Sequence, residues 1–402
     1  SSGAMASNVG DALRTIPADQ IESVEVITSP SARYDAEGTS GIINIITKKK
    51  DIGGISGSIS GGFGTRHNNG NASLNLRKGK LGIVANLGGN YMWPQTVTNE
   101  LEQFTIDGQQ TLKQFNEQRT TRSGLRGTIG LDYDLSEKDL LTTTFSANGF
   151  EMSMDGNTIS QFFSPDNNIL SLLSNRDQKT SSDGFDWSAD YTRKFEHPKQ
   201  ELTIAGQFSR NNRITDYTTL YEERNRLDEV GENKGINDEL TFQADYVQPI
   251  RNTTLEIGAK TIFRDIMSNS LIQEGQNGIY QPADDRSYEF NYEQDVLAGY
   301  LSYGFEFAEK YEVIAGVRVE QTKLDGDAVG DFEAFKNEYT NVLPSAVISR
   351  KIGEMSNIKL SYNQRIQRPS LFFLNPFRNT SDPIVQQQGN PELKPELSHN
   401  IE

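Results

Sequence analysis

The chain contains no cysteine and only three histidines, His67, His197 and His399. The first absence excludes disulfides and thiolate metal sites. The second leaves no ligand pair at helical or hairpin spacing and little basis for a metal centre or a catalytic triad. Long apolar runs are missing too: mean hydropathy is −0.60. No stretch approaches the ~18 residues of a membrane helix, so any membrane crossing has to be built from strands. Positive charge is in deficit, and the formal net charge of −16 argues against nucleic acid and against a basic patch docking on anionic lipid. Gly53-Gly54, Gly57 and Gly61-Gly62 do not form the G-x-G-x-x-G spacing of a phosphate loop. Ser40 lacks the glycine spacing of a nucleophile elbow and reads as a turn serine. Glu222-Glu223, Asp228-Glu229 and Asp284-Asp285 have no EF-hand spacing and read as solvated loop charge. Nothing here asks for an enzyme, and no cofactor is expected.

What is present is a rhythm. Ser1–Ser7 reads as the remnant of an expression tag, and with no apolar signal core the 402 residues are expected to begin inside a mature protein. From Gly53 onward, segments of about ten residues with apolar positions every second residue alternate with connectors. Leu81, Ile83, Ala85, Leu87 and Tyr91 share one face, while Gly82, Asn86, Gly88 and Asn90 share the other. Val84 is the exception. Similar rows are Leu141–Ala147, Leu202–Phe208, Leu240–Tyr246, Leu255–Ala259 and Val313–Val319, each opposed by Thr, Gln, Glu, Lys and Arg.

Connector lengths alternate as well. Short turns are expected near Lys78–Lys80, Leu135–Lys138, Glu196–Lys199, Gln248–Asn252, Ala308–Lys310 and Gly353–Asn357. Long polar connectors are expected between them, near Met92–Thr120, Glu151–Thr180, Asn212–Gly235, Ser268–Ser287, Leu324–Asn337 and Arg368–Gly389. All long connectors then leave from one rim, as in outer-membrane barrels, and counting the runs gives about fourteen strands. The fold class is therefore all-β, an antiparallel transmembrane β-barrel. Aromatics such as Tyr91, Tyr191, Tyr246 and Tyr303 fall near strand ends, where interfacial girdles or plain cross-strand packing would place them. Trp93, Phe162 and Phe163 fall in expected external loops. They are the candidate ligand-binding residues, against the alternative of loop-tip packing.

Upstream, Ser23–Thr28 alternates like a half-buried strand, and Gly41–Thr47 is apolar on both faces, with breakers at Ser29-Pro30 and Ala36–Gly38 between them. Ile21–Val26, Ser29-Pro30, Arg33-Tyr34-Asp35 and Gly41–Lys48 resemble the C-terminal part of the plug domain of TonB-dependent outer-membrane receptors. Asp35 stands where that family often has glycine. Arg365–Ser370, Leu374-Asn375-Pro376 and Gly389–Glu396 resemble a barrel segment of one branch of the same family. The resemblance implies residues 8–50 as the end of a plug and 51–402 as barrel, part of a barrel of ~22 strands holding its plug in the lumen. It further implies import of a scarce nutrient, a TonB energy-coupling complex as partner, outer-membrane lipid around the barrel, and in some members a surface lipoprotein. No TonB box is recognised, so a fragment lacking the front of the plug and the final strands is expected. A plug-less porin or barrel enzyme, and a soluble β-rich binding or adhesive protein, are the alternatives.

Overall fold

A computed structural model describes residues 21–27, 32–38, 42–47, 53–164, 169–223, 226–308, 310–329, 334–352, 356–375 and 388–402. The tag remnant, Ser29-Pro30, Ser40, Gly41 and Pro376 lie outside these residues. Strands β1 (Ile21–Ile27) and β2 (Ile42–Thr47) pair antiparallel as a small separate sheet, with Val24 opposite Ile45.

Every other strand among the described residues belongs to one 15-stranded antiparallel sheet. Its strands are β3 (Gly54–Gly62), β4 (His67–Lys78), β5 (Leu81–Phe104), β6 (Gln110–Asp134), β7 (Asp139–Phe163), β8 (Ile169–Lys194), β9 (Glu201–Tyr221) and β10 (Asp228–Ile250). They continue with β11 (Thr253–Gln276), β12 (Ile279–Pro282), β13 (Tyr288–Phe307), β14 (Tyr311–Val329), β15 (Phe335–Lys351), β16 (Asn357–Gln367) and β17 (Glu396–Ile401). Each strand pairs with its sequence neighbour, except that β12 folds back on β11 alone and β13 takes the next place, leaving fourteen strands in line. That line is the expected strand count. Among the described residues β3 and β17 do not pair with each other, so the wall is not closed. Among the described residues one helical turn, α1 (Leu371–Leu374), interrupts the β-structure.

The short turns at Lys78–Lys80, Leu135–Lys138, Glu196–Lys199 and Gln248–Asn252 fall where the sequence places them, most of Arg368–Gly389 lies outside the described residues, and the first long connectors are not loops. Strands β5 to β8 run 24 to 26 residues each, far beyond the ~9–11 a tilted strand needs to cross the hydrocarbon. Most of Met92–Thr120 and Glu151–Thr180 is therefore strand rather than loop, and only tips such as Thr105–Gln109 turn. Polar cross-strand pairs hold these arms. Asn116 Nδ2 donates to Thr158 Oγ1 at 2.7 Å, Gln114 Nε2 to Ser160 Oγ at 3.1 Å, and Asn175 Nδ2 to Asn157 Oδ1 at 2.9 Å. Apolar periodicity ends with the lipid, whereas backbone pairing has no reason to stop there.

The two faces of the sheet are chemically distinct. On β13, Phe290, Tyr292, Gln294, Val296, Ala298, Tyr300 and Ser302 are buried while the intervening residues from Glu293 to Leu301 are exposed and Asn291 is half-buried. Followed by register, the outer face carries Ile129, Phe145, Trp187 and Phe208 in one row across β6 to β9. Bare apolar rows of this kind are at home against lipid. Near the short-turn rim, Tyr303, Phe305, Phe307 and Tyr311 form a continuous aromatic string, the last two stacked at 4.8 Å. The inner face is lined by threonine, serine, asparagine, arginine and acids, relieved by an apolar cluster of Phe290, Tyr292, Leu324 and Leu374 that seats α1 against the wall.

Candidate functional site

Residues Ala32–Gly38 lie on the inner face of the wall, seated almost entirely by charge. Strand alternation turns Lys260 of β11, Arg318 and Glu320 of β14, and Arg365 of β16 to this one side. Lys260 Nζ meets Asp35 Oδ2 at 2.6 Å, and Arg318 approaches the other Asp35 oxygen at 3.6 Å. Arg318 Nε also donates to Glu320 at 2.5 Å, and Glu320's second oxygen accepts from Arg368. Arg368 spans the two parts: it bridges Glu320 on the wall and Glu37 on the segment, the latter at 3.2 Å, and gives its Nε to Thr322 at 3.3 Å.

Backbone bonds fix the register of the same seat. Gly38 N–H donates to Ile366 O and Ile366 N–H to Ala36 O, both at 3.0 Å, which makes Glu37 and Ile366 a parallel bridge. Arg365 covers three carbonyls of the segment, those of Gly38, Glu37 at 2.9 Å and Asp35 at 3.3 Å. Gly38 sits at φ +95°, a left-handed conformation that glycine tolerates best, and this turns its carbonyl into that fork. Ala32 fits because Gly316 lies beneath it: a Cβ at Gly316 would come within 3.0 Å of the Ala32 methyl. The apolar cluster at the seat is small, Ala36, Leu343 and Ile366 with Tyr339 at its border.

Charge is stabilised in place. Burial alone would push the Asp35 carboxyl up, but the Lys260 ammonium and the Arg318 guanidinium together hold it below its ordinary value. Burial likewise works against charge on Arg368, and Glu320 and Glu37 overcome it and keep that guanidinium firmly protonated. Buried ion pairs of this kind contribute register and specificity more than net stability. The arrangement can hold a short segment in one place and let it go.

The residues singled out from the sequence lie elsewhere and are not brought together. All three are in strands, not loops, because the arms continue as paired β-structure. Trp93 stands edge-on to Tyr91 at 5.0 Å, beside a register shift in β5, and 44% of it is exposed. Phe162 lines up with Leu112 of β6 and Leu170 of β8 on the inner side, and Phe163, one residue on, faces the opposite way. Trp93 and Phe162 are separated by some eight residues along β6, or ~26 Å.

Sequence reasoning passed over Lys260, Arg318, Glu320, Arg365 and Arg368 as site residues. Arg318 and Glu320 were legible only as polar positions opposite Val317 and Val319. Asp35, Arg365 and Arg368 lay inside the two family-like stretches, and that was the available signal. Glu229, expected to be solvated, is buried instead. It accepts from Tyr217 Oη and from Arg286, each at 2.6 Å, while Arg176 lies over the Tyr217 ring at 4.3 Å. Among the described residues no set of His, Asp and Glu could hold a metal ion.

One antiparallel sheet with an apolar outer face, a charged inner face, short turns on one rim and long hairpins on the other is the wall of an outer-membrane β-barrel. The sequence profile of the outer membrane protein beta-barrel family matches residues 193–402, just over half of the chain, and the chain belongs to that family. This locates it in the outer membrane of a Gram-negative cell and removes the soluble alternative. No curated protein matches the chain. Among solved structures, it is similar to the ferric-catecholate import receptor Fiu from E. coli K12 at 10% identity, covering 87% of this chain and 75% of that one, with a TM-score of 0.36. The ferric yersiniabactin uptake receptor FyuA from Yersinia pestis is 9% identical over 95% and 77% of the two chains, with a TM-score of 0.31. The translocator domain of autotransporter NalP from Neisseria meningitidis is 11% identical over 71% and 83%, with a TM-score of 0.28.

Proposed function

We propose that the chain is part of a TonB-dependent outer-membrane receptor that binds and imports a scarce nutrient through a plugged barrel. The observation that carries this reading is the seat of Ala32–Gly38, a segment upstream of the first wall strand held on the inner face by ion pairs and one backbone bridge. A gate has to be firm at rest and separable under pull, and a charged seat supplies both properties. The resemblance of Ile21–Lys49 to the end of a plug supports the same reading. On it, residues 8–50 close a plug and residues 51–402 are part of a barrel of ~22 strands, completed by chain not contained in this sequence. The TonB energy-coupling complex is the partner that pulls, and a surface lipoprotein is a further candidate partner. No bond is made or broken in the cargo; the work is differential binding and displacement of the gate.

The test is uptake by cells carrying the whole receptor, offered labelled iron chelates, cobalamin, oligosaccharides and peptides in turn. One member of the panel enters, and only while the energy-coupling complex is intact. Uptake that survives deletion of that complex refutes the reading and leaves a passive porin.

A further inference from the structure

The inner wall beneath Ala32–Gly38 carries more positive charge than the segment neutralises. Lys260, Arg318, Arg365 and Arg368 converge there, and Glu320 is the one wall carboxylate that pairs with them. The remaining counter-charge comes from the segment itself, through Asp35 and Glu37, and Arg365 finds its acceptors in three segment carbonyls. Neighbouring inner carboxylates are engaged elsewhere. Asp245 accepts from Tyr300 at 2.6 Å and from Gln243 at 2.7 Å, and Glu239 closes a pair with Arg264 at 2.6 Å.

When the segment leaves, taking Arg33, Asp35 and Glu37 with it, the four cations keep Glu320 as the carboxylate paired with them among the described residues. With the segment seated, Arg318, Arg365 and Arg368 are buried, and a cation that loses the carboxylate or carbonyl it was paired with is costly unless another partner takes that place. A guanidinium fork on a rigid strand is also suited to planar, bidentate oxyanions.

We infer that this wall is a second binding site, uncovered by withdrawal of Ala32–Gly38, whose ligand is a di- or trivalent oxyanion bearing carboxylate or phosphoryl groups. Such an anion takes the places of the Asp35 and Glu37 carboxylates on Lys260, Arg318 and Arg368, and that of the segment carbonyls on Arg365. The exchange lowers the free energy of opening, since the cations are never left bare, and it favours anionic cargo at the step where the gate moves. The inference rests on the gating role proposed above, and its test measures binding alone, so failure here leaves the uptake result standing.

The experiment uses the full receptor in detergent, with inorganic pyrophosphate and citrate as separate probes, followed by calorimetry at low ionic strength. Asp35→Asn/Glu37→Gln removes the resident counter-charge while keeping the Ala36–Ile366–Gly38 bridge. It is expected to bind one or both probes at least tenfold more tightly than the unaltered receptor, with binding weakened by added salt. Pyrophosphate alone marks a phosphoryl ligand, citrate alone a carboxylate. Adding Lys260→Met, a change at the most accessible of the cations, is expected to remove most of the gain. Equal affinity in the altered and unaltered receptors, no binding in either, or a gain that survives Lys260→Met each overturns the inference. The single change Glu37→Gln, milder for folding, is expected to show the same trend at smaller amplitude, and its failure to do so counts equally against it.

Discussion

Replacing Arg365 by methionine keeps the aliphatic stem and removes the fork that holds three carbonyls of the segment. The 3.3 Å contact to Asp35 O is the weakest of the three, so two bonds carry most of the effect. Hydrogen bonds to a charged group contribute about 1.5–3 kcal/mol each, net of the exchange with water. Taking the low end for two bonds gives a loss of about 3 kcal/mol in seating free energy. That corresponds to roughly a 150-fold rise in the population of the unseated segment, at 1.4 kcal/mol per tenfold. The readout is amide exchange at Gly38 and Ile366, whose N–H groups form the bridge at 3.0 Å each. Both should lose protection together by about two orders of magnitude, while amides of β13 and β14 keep theirs. If Gly38 exchanged within threefold of the unaltered protein, the fork would not be what holds the segment, and the seat described here would be wrong.

Three further outcomes are expected. Gly316→Val drives a side chain toward Ala32, Ser345 Oγ and Leu301 O, all within 3.3 Å of the first added carbon. Overpacking of about 1–3 kcal/mol should fall on the segment, raising Gly38 exchange with little change in thermal unfolding of the wall. Because Asp35 titrates below its ordinary value of 3.8 in the folded protein, its contribution to seating is complete above that pH and lost only as pH falls through the lower folded value. A spin label at Tyr34 should therefore report constant mobility from pH 8 to 5 and loosening only under strongly acidic conditions; loosening near neutrality would contradict this. Finally, Phe162→Ala should weaken binding of a ligand by about 10–150-fold if Phe162 packs on it as a buried aromatic does, and Phe163→Ala should leave affinity within twofold. Equal effects in a titration of both variants would place the ligand somewhere other than the inner face.

Much of the wall could be read in advance because lipid imposes a period of two on every strand that crosses it. Val313 to Val319 and Leu240 to Tyr246 show that period and point outward together. The arms could not be read the same way. Past the lipid both faces are wet, so Asn116, Thr158, Asn157 and Asn175 continue the strands through side-chain amides and hydroxyls that also suit loops. The seat was legible only in pieces. Asp35 and Lys260 are 225 residues apart, and Glu37 and Arg368 are 331 apart. No local pattern marks a charge whose partner arrives from the far end of the chain, and a lone arginine opposite valine reads as lumen polarity and nothing more. Glu229 was misjudged for the same reason, its partner Arg286 lying 57 positions away.

The parting of β15 and β16 gives the wall a seam. Their pairing runs from Lys351 and Asn357 to Ser345 and Asn363 and then stops, beside Pro344, which has no N–H to offer. Beyond that point Ile366 turns its N–H and C=O toward Ala36 and Gly38, so three residues from outside the barrel stand in the rank where β15 would otherwise continue. The segment is thus also a tooth in the zip between two strands of the wall. On the proposed gating role, withdrawing it would free two backbone edges of the wall as well as a space, and the spacing of the wall there would follow from whether those edges pair.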